Sequence, residues 1–171
     1  GRLPDEGAAF MVRRAMTDRV RSRGLAADCM IETAEGPVAM AETPGKGFAV
    51  LTRLPTGGLG FRQLLKVAAA GPVPLVRVVL DSGHAVVTAC DHVFYRRGMV
   101  AVPAAELVAG DLLETAFHYR EGYTPPDAVR PVGTMAIAVR AVEPAGEGEV
   151  FAGTVRDTHA LFLTAGVLCS E

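Results

Sequence analysis

Downstream of Cys29 the chain is a succession of short apolar runs, each ended within a few residues by Gly or Pro. Runs of this length, rich in Val, suit strands better than packed helices. The strands expected are 30–33, 38–42, 48–54, 59–67, 75–80, 84–89, 93–96, 99–103, 135–141, 149–156, 161–164 and 167–169. Pro55-Thr56-Gly57-Gly58, Asp81-Ser82-Gly83 and Arg97-Gly98 supply turn chemistry between neighbouring runs. Residues 104–108 suit one helical turn ahead of Gly110-Asp111, and 118–134, with its Tyr, Pro and Gly, reads as a loop. Many closely spaced strands predict an all-β sandwich or barrel-like fold. Upstream the pattern changes. Ala9, Phe10, Val12, Ala15 and Val20 fit a helix over 5–24, with Arg13, Arg14, Asp18, Arg19 and Arg21 on polar faces and Gly24 as its stop.

The 171 residues suit one domain with a short appendage, and half of them are hydrophobic, enough for a sizeable core. With few aromatics and no Trp, that core must be built mainly from Val, Leu and Ala. A formal net charge of −2 gives no reason to expect a nucleic acid or an anionic membrane as partner. The basic stretch from Arg13 to Arg23 reads as the solvated face of the helix. Cys29, Cys90 and Cys169 are odd in number and far apart, and no C-x-x-C pair exists, which excludes a zinc ribbon and argues against a disulfide scaffold. No apolar run reaches the roughly 18–20 residues that span a bilayer. A soluble, cytoplasmic setting is the default expectation. The chain contains no asparagine.

Four segments together resemble one family. Asp28-Cys29-Met30-Ile31-Glu32-Thr33, running to Gly36-Pro37-Val38, is similar to the opening block of Hint domains, the autoprocessing modules of inteins and hedgehog proteins. Leu75 to His84 and then Thr88-Ala89-Cys90-Asp91-His92-Val93-Phe94 resemble the hairpin that delivers the family's T-x-x-H. Gly98 to Leu107 with Gly110-Asp111 matches the strand and turn that follow the His. Val155-Arg156-Asp157-Thr158-His159-Ala160-Leu161-Phe162 with Gly166-Val167-Leu168 resembles the terminal block. The likeness covers 29–171. It implies a horseshoe-shaped β fold of pseudo-two-fold related halves, with 1–28 as an upstream flank resembling an N-extein. Bacterial intein-like and hedgehog-like domains are the nearer comparison.

The resemblance also implies roles. The family's first residue is a nucleophile whose thiol attacks the carbonyl just upstream, turning an amide into a thioester. Amide resonance and a poor leaving nitrogen oppose this step, so it needs near-attack geometry, a proton donor and oxyanion donors. Cys29 is then the nucleophile, Asp28–Cys29 the scissile bond, and His92 the proton donor to its nitrogen. Two roles stand open for Asp157, tuning the thiol or capping a turn. Two stand open for His159, assisting at the C-terminal junction or anchoring a corner. The family's Thr belongs three residues before the His, where Ala89 stands. Thr88, one residue earlier, faces the other side of a regular strand and reaches the site only through a bulge.

At the C-terminal junction, Cys169-Ser170-Glu171 occupies the place of the family's terminal His-Asn pair. Asn cyclisation, the step that releases a spliced product, has no side chain to perform it. The expected function is therefore single-turnover self-cleavage at Asp28–Cys29 without splicing. Its substrate is the chain's own N-terminal flank, and water or a small thiol resolves the thioester. The alternative is a silent Hint fold kept as a structural, metal-binding or interaction module. No cofactor is required. An inhibitory zinc held by Cys29, Cys90, His92 and Cys169, or a redox-sensitive disulfide, is a side expectation of the family geometry.

Overall fold

The computed structural model describes residues 23–116 and 136–171. The expected loop over 118–134 lies outside the described residues. So does the expected helix over 5–24, except for Arg23 and Gly24, which are not helical. The described residues form β1 (Leu25–Ala26), β2 (Met30–Thr33), β3 (Gly36–Ala39), β4 (Ala49–Arg53), β5 (Leu59–Leu80), β6 (Ala85–Ala89), β7 (Val93–Arg96), β8 (Val100–Pro103), β9 (Val139–Val155), β10 (Ala160–Phe162) and β11 (Leu168–Ser170). Short 3-10 turns cover Met40–Glu42 and Ala104–Glu106.

One sheet runs β3-β2-β4-β5-β6-β1-β9, and a further β5–β9 pairing joins its last strand back to its centre. Strands β5, β6, β1 and β9 thus form a closed ring, which leaves fewer bare edges. A second sheet runs β10-β11-β7-β8. The expected runs 59–67 and 75–80 are one strand, as are most of 135–141 and 149–156. Gly71-Pro72 reads as a break because Pro donates no ladder hydrogen bond. Here the β5–β9 ladder absorbs it through register shifts at Leu65/Ala68, Ala70/Val73, Pro74/Val76 and Val79/Leu80.

The main core gathers Leu25, Ile31, Met40, Val50, Leu64, Val76, Val78, Phe94, Leu161 and Leu163 from both sheets. Each such side chain stabilises the fold by about 1.5–3 kcal/mol through burial. Arg53 ties the β4–β5 turn to the chain beyond β8. Its guanidinium donates to the carbonyls of Gly57 (3.0 Å) and Thr115 (2.6 Å) and lies 5.5 Å over the Phe162 ring. Thr52, fully buried, satisfies its hydroxyl on the Ala160 carbonyl at 2.7 Å.

Candidate functional site

Strand β1 is only two residues long, yet it organises the site. Leu25 pairs with Thr88 of β6 on one side and with Phe151 of β9 on the other. Among the described residues the sheet thus begins at Leu25, upstream of Cys29. This pairing sets Gly24 beside the end of β6, where the Ala89 amide donates to the Gly24 carbonyl at 2.9 Å. The chain then turns, with the His92 amide donating to the Ala89 carbonyl at 3.2 Å. The turn brings the imidazole back to β1, where its Nδ1 accepts the Gly24 N–H at 3.1 Å.

The imidazole therefore addresses the Arg23–Gly24 peptide, and not Asp28–Cys29 as the sequence led us to expect. The Cys29 amide is engaged elsewhere, donating to the Ala26 carbonyl at 3.0 Å in the turn after β1. His92 is fully buried. Desolvation pushes its pKa down to about 3, helped by the Arg23 charge and opposed by the Ser170 backbone. At neutral pH the ring is uncharged, consistent with Nδ1 acting as an acceptor. The influence of both Arg23 and Ser170 on one ring puts the upstream flank and the last strand at the same place.

Cys29 is buried, and desolvation raises its thiol to about 12, with the Asp28 carboxylate adding to the shift. At neutral pH it is a thiol and a weak nucleophile. Cys169, fully buried in β11 opposite Phe94, is raised well above the ordinary range by burial and by nearby Cys29. Thr88 is fully buried, and its hydroxyl donates to the Ala89 carbonyl at 2.9 Å. No bulge turns Thr88 toward a scissile carbonyl in the β6 ladders: it stays in register with Leu25 and Val76.

The terminal block divides differently from its expected roles. Asp157 sits in the turn between β9 and β10 at φ +67° and pairs with Arg62 (3.4 Å). Its carboxylate faces Arg62 from an exposed turn, and the carboxylate that acts on the Cys29 thiol is that of Asp28. His159, at φ +54°, holds Glu171 through Nδ1 at 3.0 and 3.2 Å. The same Glu171 carboxylate accepts the Val155 amide at 2.6 Å. Ser170 is buried with its hydroxyl unpartnered among the described residues. Glu171 thus stands as a structural clasp where a cyclising amide is expected.

A zinc site does not fit these residues. Among the described residues no three His, Cys, Asp or Glu side chains gather closely enough to hold a metal ion. Cys90 turns toward the Pro74 carbonyl at 3.6 Å. The sequence reading missed Gly24, which it used only as a helix stop. The one local signal was the apolar pair Leu25-Ala26, which extends strand-like character upstream of Cys29.

The topology, with the Arg23–Gly24 segment and the last strand meeting at His92, is that of a Hint fold. Among solved structures, a bacterial intein-like domain from Clostridium thermocellum matches at TM-score 0.70 and 22% identity, covering 88% of this chain and 100% of that one. A DnaB intein from Synechocystis matches at TM-score 0.67 and 15% identity over 87% of this chain and 98% of that one. An intein from a hyperthermophile matches at TM-score 0.62 and 16% identity over 88% and 100%. No protein-family model matches the chain, and no curated protein matches it. At these identities the likeness carries the fold, and the chemistry must be argued from the residues.

Proposed function

We propose that this is a Hint-fold module that holds its own upstream peptide at the former processing centre without cutting it. The reading rests on one contact, His92 Nδ1 to the Gly24 amide at 3.1 Å. In Hint chemistry the imidazole serves the nitrogen of the residue that carries the nucleophile. Here that residue is a glycine, with no sulfur or oxygen to attack the Arg23 carbonyl. The peptide is gripped on both sides, by His92 at its N–H and by Ala89 N–H at the Gly24 carbonyl. It is bound as a substrate would be, by a residue with no side chain to consume it. Glu171 at the other junction offers no amide nitrogen for cyclisation.

The competing reading is attack of the Cys29 thiol on the Asp28 carbonyl. A retained thiol beside the same core favours it. Against it stand a thiol held protonated near pKa 12 and an amide nitrogen that donates to the Ala26 carbonyl. Intact-mass measurement over days with dithiothreitol or hydroxylamine separates the two. The expected result is an unchanged mass, both for this chain and for Cys29→Ala. A fragment ending at Asp28, abolished by Cys29→Ala, establishes the competing reading. A fragment ending at Arg23 overturns the holding role.

A further inference from the structure

We infer that Val150 of β9 bars any nucleophile from position 24, so that the silence of this centre is built into two positions and not one. The inference rests on the holding role proposed above and adds to it a steric determinant. A Cβ placed on Gly24 falls 2.7 Å from Val150 Cβ, 2.9 Å from its Cγ2 and 3.1 Å from the Phe151 carbonyl oxygen. Real side chains do not tolerate the first two distances, and the atoms concerned are not the far end of a flexible chain. Val150 pairs with Ala26 in β1 and with Ala70 in β5, so its backbone is held from both sides. Its side chain is fully buried and packs with Val73, Leu75 and Ala89, which leaves it nowhere to retreat. Gly24 itself sits at φ +145°, a region that favours glycine.

The consequence is chemical. An acyl shift at Arg23–Gly24 needs a Cβ on residue 24 to carry sulfur to the Arg23 carbonyl carbon. The C–N bond would then break and the proton pass to the residue-24 nitrogen at His92. Strand β9 occupies the space that this Cβ would fill. Restoring cysteine at position 24 alone therefore does not restore the machinery.

The test is a double-mutant cycle on the full chain, read by thermal unfolding, with Gly24→Cys, Val150→Gly and the pair together. Gly24→Cys is expected to lower Tm by several degrees and to remain uncleaved. Val150→Gly lowers it through the cavity it leaves. The pair is expected to melt above the sum of the two single shifts by more than about 3 °C, a large coupling for a chain of this size. Strain from the backbone angle falls on both cysteine-bearing variants and cancels in the cycle. If Gly24→Cys alone does not fold, the comparison moves to the Val150→Gly background, where adding the cysteine should recover a folded protein that bears only the strain of the backbone angle and the Phe151 carbonyl. Additive shifts, failure of the pair to fold where Val150→Gly alone folds, or release of a fragment ending at Arg23 from Gly24→Cys alone overturns the inference. Cleavage of the unaltered chain would instead sink the holding role and leave the coupling untouched.

Discussion

His92 carries a signature that reports whether the centre is packed as described. Its pKa falls from 6.5 to about 3 on folding because burial excludes the charged ring. A base with a lowered folded pKa takes up its proton more readily in the unfolded chain. Its contribution to stability is therefore complete above pH 6.5 and is lost progressively as pH falls toward 3. Between pH 7 and pH 5 the loss is about 2 kcal/mol. His92→Gln keeps an acceptor for the Gly24 amide but no titration, so urea unfolding at the two pH values should show most of that loss removed. Equal losses in both proteins would place the imidazole in contact with water. At the same scale, Cys29 shows how burial can disarm a reactive residue. A cysteine in a family-like position is a nucleophile only if its surroundings favour the thiolate, and here desolvation and Asp28 both oppose it.

Among the elements, the two ends of the terminal block depend on each other. The Val155 amide, at the end of β9, has its acceptor on Glu171, just past β11. Glu171→Ala leaves that buried amide without this partner and should cost about 1–3 kcal/mol in denaturant unfolding. Glu171→Gln retains an acceptor and should cost clearly less. Equal losses would mean that the charge toward His159 matters more than the amide. That outcome is not expected, because the His159 side chain is 65% exposed and water screens the pair. The element that matters most is β1, whose two residues are enclosed between β6 and β9. A strand this short has no periodicity of its own. It exists because the ring of β5, β6 and β9 leaves one slot that only an extended segment can fill.

For the molecule as a whole, that slot makes the upstream flank part of the fold. Leu25 is fully buried in the main core, and the residues around it bridge both sides of the β5–β6–β1–β9 ring. Hydrogen exchange at the Leu25 and Ala26 amides should therefore follow global unfolding and not local opening. Exchange much faster than that of β6 would show that β1 detaches on its own and that the peptide is only loosely held.

The all-β class, most strand positions and the turns were legible in the chain. Each rests on local chemistry: apolar runs, Gly and Pro punctuation, and residues close in sequence. The C-terminal departure was legible too, since a missing asparagine needs no coordinates. What His92 touches was not. Gly24 and His92 are 68 residues apart, and their contact arises from strand pairing across β1, β6 and β9. No local pattern encodes which peptide fills a shared slot, because pairing energy is set by all the strands at once. Sequence alone therefore singled out the imidazole, and only tertiary packing decided which peptide its Nδ1 faces and that Val150 stands where a Cβ on residue 24 would fall.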